Sequence, residues 1–276
     1  MLDPQSPASP WILAVAIVLL LVVLAIRAVR KDRLEYRRFK QFRSSKERQR
    51  MMRGWLLQSF VVFGAASALL LLLDWRYVLA LLRATEQWIP LREAFGAAPG
   101  LAWGITIGVA VVLVGGTVLA VLAARKSGEV PVIGDIHALL PRNRRELVIA
   151  GALSINAGLV EELLFRLAVP AAIFGVFGNA IVAVVASVIF FGLLHIYQGV
   201  AGVIGATVIG GVLMALYLAT GSIAVPIVAH ALFDLRSLVL IPVVVYGVQR
   251  NTADWVPAPT PAVATVPEPA ADAPAP

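Results

Sequence analysis

The sequence contains no cysteine and few charged residues. With no cysteine, a disulfide framework, a thiolate metal site and a thiol nucleophile are all excluded. Charged residues make up only 14% of the chain and hydrophobic residues 60%, with a mean hydropathy of +0.88, which disfavours an ordinary soluble domain. Several apolar runs approach the roughly 20 residues that a helix needs to cross a bilayer. The sequence therefore predicts an all-α polytopic membrane protein.

Positive charge is concentrated in one segment. The formal net charge is +7, and the segment 27–53 follows the first apolar run. Basic flanks of membrane helices are retained in the cytoplasm and contact anionic lipid. We therefore expect this segment to be cytoplasmic, and we expect the bilayer rather than nucleic acid as its partner. Its basic residues are Arg27, Arg30, Lys31, Arg33, Arg37, Arg38, Lys40, Arg43, Lys46, Arg48, Arg50 and Arg53.

The apolar runs predict about seven transmembrane helices around a polar intramembrane site, with the N-terminus outside. The first run is not a cleavable signal peptide, because its positive charges follow it. Aromatic and charged residues alternate in 74–100, which is typical of an interfacial helix. We divide the chain into an N-terminal membrane region (1–145), a catalytic core (146–250) and a disordered, removable Pro/Ala-rich tail (251–276). The predicted spans are 11–26, 55–73, 101–124, 146–169, 179–195, 200–220 and 223–247.

Three ionisable residues interrupt the fourth predicted span. A charge near the bilayer centre costs roughly 2.5–3.5 kcal/mol on insertion scales, so intramembrane charges usually belong to a site. Glu162 and Arg166 are four residues apart and can form an ion pair, whereas Glu161 points about 100° away from Glu162. A desolvated, unpaired carboxylate takes up a proton readily and suits a general base. The alternative is that both glutamates serve a structural polar cluster.

Two further apolar spans each contribute a histidine. His195 ends the fifth span, and His230 lies four residues before Asp234 in the seventh. Each could be a hydrogen-bonded core residue, but one shared cavity would satisfy all these groups together. We expect Glu161, His195 and His230 to converge there, although the span assignment puts the two histidines near opposite membrane faces. His137 is predicted to be an exposed loop residue without a role.

The three motifs occur in a recognisable order: Glu161-Glu162-x-x-x-Arg166, Phe191-x-x-x-His195 and His230-x-x-x-Asp234. Over about 146–247 the chain resembles the CAAX prenyl endopeptidase and bacteriocin-processing family of glutamate-type intramembrane proteases.

By this resemblance Glu161 activates water, with Glu162 and Arg166 supporting it, and His195 positions the water or assists proton transfer. The resemblance also implies that His230 and Asp234 bind the scissile carbonyl or the oxyanion. An ionised Asp234 cannot donate a hydrogen bond to an oxyanion, so this role requires either a protonated Asp234 or one that orients His230.

We therefore expect an intramembrane endopeptidase that acts on a peptide or protein without a cofactor, in the plasma membrane of a bacterium, with its site open to the cytoplasm. A zinc ion held by His195, His230 and Glu161 is an alternative route, although no His-Glu-x-x-His helix is present. The rival function is a non-catalytic scaffold or a small transporter. A transporter would usually show repeated, broken helices, and the sequence shows no convincing repeat.

Overall fold

The computed structural model describes residues 1–86, 99–127 and 134–254, and the regular elements of these ranges are all helices. This agrees with the predicted all-α class. The α-helices are α1 (Ser9–Ile26), α2 (Arg33–Gln41), α3 (Ser45–Glu86), α4 (Pro99–Ser127), α5 (Arg144–Glu162), α6 (Val169–Phe177), α7 (Ala180–Leu193), α8 (Gly199–Thr220), α9 (Ala224–Leu235) and α10 (Ile241–Tyr246).

Four helical stretches among the described residues are long and apolar enough to cross a membrane. The expected number of seven spans is not confirmed. The predicted fourth span is not among these four stretches; its helix α5 carries Arg144, Arg145, Glu146 and the two site glutamates. Large apolar side chains face outward along the helices, as lipid contact requires; Val15, Leu69, Val111 and Ile204 are examples. The chain is an integral membrane protein. The four stretches are Ser9–Gln41, Ser45–Glu86, Ile196–Thr220 and Ala224–Tyr246.

Helices α5 and α6 form the centre of the fold. Helix α5 packs against α3 and α9, and α6 packs against α1, α3 and α7. The main apolar core surrounds the junction of α5 with α6, where Leu164 and Phe165 are buried. Leu13 of α1 and Tyr77 of α3 both approach Gly175 in α6 so closely that a side chain there would collide with them. The N-terminal helices are therefore integral to the walls around the central pair.

Helix α3 is longer than the sequence suggested. It runs without a break from Ser45 to Glu86, so the interfacial helix expected at 74–100 does not begin at Asp74. The second predicted span simply continues through Asp74, which is fully buried. The rest of the expected interfacial helix, residues 87–98, lies outside the described residues. At 1.5 Å per residue the helix is about 63 Å long, roughly twice the hydrocarbon thickness of a bilayer.

The first turn of α3 joins a buried polar group that the sequence did not reveal. We call Ser45, Arg48, Asn143 and Glu146 the junction cluster. The Arg48 Nε donates to Glu146 Oε2 at 3.1 Å and the Ser45 hydroxyl donates to Glu146 Oε1 at 2.6 Å. Arg48 also donates to the carbonyls of Ala138 and Leu140. The sequence predicts that the basic segment marks topology and contacts anionic lipid; in addition, Arg48 ties α3 to the start of α5.

The beginning of the predicted tail packs on this cluster. The Asn251 side chain donates to the Arg142 carbonyl, and the Asp254 carbonyl accepts from the Ser45 amide at 2.7 Å. The Asp254 carboxylate also lies near Lys46 and Arg145. Residues 251–254, the first of the predicted tail, are therefore packed, and the domain division itself stays a prediction. The remainder, 255–276, lies outside the described residues.

Within the described part of the chain, three π-helical turns interrupt the helices: Arg27–Asp32, Leu163–Ala168 and Arg236–Leu240. Two of them precede a proline by two residues. Pro170 and Pro242 have no N–H, so an unbroken α-helix could not satisfy the carbonyls four residues earlier. The π turns redistribute these backbone hydrogen bonds without ending the helix. The fourth predicted span thus continues past Pro170 into α6 and ends at Gly178, which has a φ of +63°.

Candidate active site

The polar site forms where α5 and α9 approach each other most closely. Gly158 of α5 faces the backbone of α9, and a Cβ added there would lie 2.8 Å from the Ala231 nitrogen and 2.9 Å from the Ile227 carbonyl oxygen. Only glycine fits without displacement. One turn further along α5 stand the two glutamates, and His230 precedes Ala231. The close crossing therefore brings Glu162 within reach of His230.

Glu162 lies at the centre of a buried polar group and contacts two partners, Arg166 and His230. Its Oε2 is 2.9 Å from Arg166 Nε, and its Oε1 accepts from Arg166 Nη2 at 3.1 Å. His230 Nδ1 donates to the same Oε1 at 2.8 Å. Glu162 and Arg166 are completely buried, and the guanidinium lies over the Phe191 ring at 4.8 Å. The expected i,i+4 ion pair is present, and its carboxylate also fixes His230.

Glu161 points elsewhere, as the helical period requires. It is half-buried and lines a cavity of about 100 Å³ together with His195, and no residue in the described ranges forms a hydrogen bond or an ion pair with its carboxylate. A cavity of this size has room for water, and its polar lining gives water hydrogen-bond partners. The two adjacent glutamates therefore differ: one is locked in an ion pair and one faces an accessible space.

His195 is held in a defined orientation beside this cavity. Its Nδ1 lies 3.0 Å from the Phe191 carbonyl oxygen. Because a carbonyl can only accept, Nδ1 carries the hydrogen, and a neutral ring then has an unprotonated Nε2. The histidine ring also packs on the Phe191 ring, with centroids 5.0 Å apart. His195 can thus offer Nε2 as an acceptor.

His230 and Asp234 lie beside the cavity rather than among its lining side chains. His230 Nε2 is 3.7 Å from Asp234 Oδ2, so carboxylates flank both imidazole nitrogens. The Phe191 ring lies between the two histidines, 6.2 Å from His230 by centroids. The structure brings all six predicted residues to one region, but only Glu161 and His195 of the expected three share the cavity. The two histidines, which the span assignment puts near opposite membrane faces, both lie near the Phe191 ring.

Sequence reasoning missed the part of the site that the N-terminal half contributes. Leu24 and Arg27 at the end of α1, Asp32 and Phe63 all line the cavity, although the motifs begin only at residue 161. Tyr197, two residues after His195, also lines it. A charged pair at the end of an apolar helix looks like an ordinary topology signal, and the sequence offers no sign that it faces the glutamates.

The π turn after the glutamates has a specific hydrogen-bond partner. The Phe165 carbonyl lies within this turn and accepts from the hydroxyl of Ser187 in α7 at 2.7 Å. Ser187 is fully buried. A polar side chain therefore compensates the altered backbone bonding and fixes α7 against the turn that carries Arg166.

Metal ligation needs three or four suitably grouped donors. Across 1–86, 99–127 and 134–254, no three side chains of His, Asp or Glu are grouped so that they could hold a metal ion. The donor set that would hold zinc, His195, His230 and Glu161, is divided, because Glu162 engages His230 outside the cavity lining.

Comparison with known proteins identifies one family. Residues 143–236 match the family model described as type II CAAX prenyl endopeptidase Rce1-like. The match covers about a third of the chain and contains all six predicted site residues. It confirms the resemblance inferred from the three motifs. No curated protein and no solved structure matches the chain.

Proposed function

We propose, from the relationship of residues 143–236 to the type II CAAX prenyl endopeptidases, that this chain hydrolyses peptide bonds within the membrane using a water activated by Glu161. One observation carries the proposal: Glu161 and His195 face the same cavity, whereas Glu162 beside them is buried and paired with Arg166 and His230. A base must be able to take up a proton, and only the unpaired glutamate has this freedom.

In the proposed reaction the Glu161 carboxylate takes a proton from water as the water oxygen attacks the scissile carbonyl carbon. The carbonyl π electrons move to the oxygen and give a tetrahedral oxyanion. His195 Nε2 accepts a hydrogen bond and orients the water. When the oxyanion re-forms the C=O bond and the C–N bond breaks, Glu161 returns its proton to the departing nitrogen, which gives an amine and a carboxylic acid; the acid then loses its proton to solvent.

Glu162, Arg166 and His230 act as positioning residues in this proposal. Removing one partner of a buried ion pair leaves the other charge uncompensated, which costs about 3–5 kcal/mol. The contacts that link Arg166, Glu162 and His230 therefore fix the helix that carries Glu161. Asp234 holds the far side of His230, which fits the orienting role better than direct contact with an oxyanion.

The proposed opening of the site is towards the cytoplasm of a bacterial cell. Arg27 and Asp32 line the cavity and begin the basic segment. Because basic flanks are retained on the cytoplasmic side, a cavity bordered by them opens there. The substrate is a peptide or the end of a membrane-bound protein, since the cavity lies at the end of apolar α1.

The test compares Glu161→Gln with Glu162→Gln in purified protein. Glu161→Gln preserves size and removes the base, so cleavage of a quenched-fluorescent peptide library should cease while the thermal midpoint stays near that of wild type. Glu162→Gln should lower both activity and midpoint, because it weakens the bonds to Arg166 and His230.

A chelator should leave cleavage by the wild type unchanged. Loss of cleavage in the presence of the chelator would favour the zinc route. Full cleavage by a folded Glu161→Gln protein would rule out the proposed mechanism and favour a scaffold or transporter.

A further inference from the structure

The proposed reaction needs a hydrogen-bond donor at the oxyanion, and the residues expected to supply it are poorly placed. His230 uses Nδ1 to donate to Glu162 and has Asp234 beside Nε2. Neither residue is among the cavity-lining side chains. An ionised Asp234 has no hydrogen to donate. A donor for charge developing inside the cavity must therefore come from another lining residue.

The lining offers three side chains with N–H or O–H groups: Arg27, His195 and Tyr197. The Nδ1–H of His195 is used on the Phe191 carbonyl. The guanidinium of Arg27 lies 3.7 Å from the Asp32 carboxylate, which partly balances its charge but leaves N–H groups to donate. Of these two donors we choose Tyr197, because aromatic contacts hold its ring beside His195.

The Tyr197 hydroxyl has a hydrogen to give. Its oxygen accepts a hydrogen bond from Gln198 Nε2 at 2.9 Å, and no acceptor among the described residues takes its own O–H. Accepting one hydrogen bond polarises a hydroxyl and strengthens the bond that it donates. The side chain is only partly buried, so a bound peptide can reach it.

The Tyr197 ring is also fixed in place, which an oxyanion donor requires. It stacks beside the His195 ring, with centroids 6.1 Å apart and planes at 28°, and contacts Tyr36 edge-on at 5.4 Å. The backbone of its turn is pinned at two points: Gln198 N donates to the His195 carbonyl, and the Gln198 carbonyl accepts from Asp135 N, each at 2.9 Å.

We propose that the Tyr197 hydroxyl donates a hydrogen bond to the oxyanion of the tetrahedral intermediate. This inference rests on the proposed peptidase function and assigns a further catalytic residue to it. The hydroxyl hydrogen stays on Tyr197 throughout; it stabilises the negative oxygen while Glu161 carries the proton taken from water.

The test is Tyr197→Phe, which removes one oxygen atom. Loss of a single oxyanion donor lowers kcat by about 10²–10³-fold, so we expect a fall of this size with KM changed by less than about threefold and an unchanged thermal midpoint. The probe is a quenched-fluorescent peptide that the wild type cleaves. Tyr246→Phe is the matched control: Tyr246 ends α10 and is not among the cavity-lining residues, so this substitution should keep wild-type kcat.

A second measurement separates catalysis from structure. A peptide aldehyde with the substrate's sequence binds as its hydrate, which resembles the tetrahedral intermediate. Because Tyr197 acts on that state, Tyr197→Phe should weaken the aldehyde's inhibition in step with kcat, whereas binding of the cleaved product should be unaffected. Gln198→Leu keeps the Tyr197 hydroxyl but removes its donor, and should give a smaller loss of kcat.

Two kinds of failure are distinguishable. Suppose first that Glu161→Gln is inactive. A wild-type kcat in Tyr197→Phe then overturns the Tyr197 assignment alone, and so does a lower kcat with unchanged inhibition by the aldehyde. If Glu161→Gln cleaves as well as wild type, or the wild type cleaves no peptide, the proposed function fails and the Tyr197 assignment fails with it.

Discussion

The crossing of α5 and α9 at Gly158 provides a sharp test of how the site is assembled. In Gly158→Ala the new Cβ would lie 2.8 Å from the Ala231 nitrogen and 2.9 Å from the Ala231 Cβ, whereas ordinary contact begins at 3.4 Å. The obstacle is mostly backbone of α9, which cannot swing aside as a flexible side chain can. The two helices must therefore separate by about 0.6 Å.

That separation bears directly on the Glu162–His230 hydrogen bond. Its length of 2.8 Å would increase to about 3.4 Å, past the usual 2.7–3.2 Å range. Overpacking of this kind costs about 1–3 kcal/mol, and alanine's better helix propensity returns about 0.5–1 kcal/mol. We expect a net loss of about 1–2 kcal/mol and, since a 1 Å misplacement can cost about 100-fold, a kcat at least about tenfold lower.

Gly151→Ala is the matched control on the same helix. A Cβ at Gly151 would face the end of α9 and the π turn after it, but its nearest neighbours would be the side chains of Val239 and Leu235, at 3.7 and 3.9 Å. This substitution should keep wild-type kcat and raise stability slightly. Thermal midpoints in detergent and cleavage kinetics measure both effects. If Gly158→Ala and Gly151→Ala behave alike, the close crossing does not assemble the site.

Two further predictions concern the junction cluster. Arg48→Ala leaves the Glu146 carboxylate buried without its cation, so it should cost about 3–5 kcal/mol and lower the thermal midpoint without changing the kcat of the folded fraction. The control is Arg50→Ala at an exposed position, which should change stability by less than about 0.5 kcal/mol. Equal midpoints for the two variants would contradict the role of Arg48. A chain truncated after Asp254 should keep the wild-type thermal midpoint. A chain truncated after Arg250 loses the contacts of Asn251 and Asp254 and should melt at a lower temperature. Identical midpoints for the two truncated chains would show that these contacts do not stabilise the protein.

The sequence indicates candidate site residues because charge in an apolar helix is costly. Glu161, Glu162 and Arg166 stand out against their surroundings, and helical spacing alone separates the paired glutamate from the unpaired one. The pairing of Glu162 with His230 is different: it depends on the crossing at Gly158, which joins residues 68 positions apart. No local pattern contains this information.

The junction cluster could not be predicted from the sequence. Arg48 is one of twelve basic residues in 27–53, and nothing in its immediate neighbours marks it as the buried one. Its burial depends on Glu146, 98 positions away. Tyr197 was likewise hidden, because an aromatic residue near the end of a membrane helix is commonplace. Helix α3 was underestimated because aromatics among charges look interfacial even inside a continuous helix.

The π turns make this protein sensitive to changes of length as well as of side chain. Each π turn contains one residue more than the α-helical turn that it replaces. Removing one residue from Leu163–Ala168 could leave an unbroken helix while rotating all of α6 by about 100° relative to the glutamates. The contacts of Gly175 with Leu13 and Tyr77 would then face the wrong side. Single-residue deletions that ordinary loops tolerate are therefore among the most damaging changes to this site, even where the deleted side chain contacts nothing in the cavity.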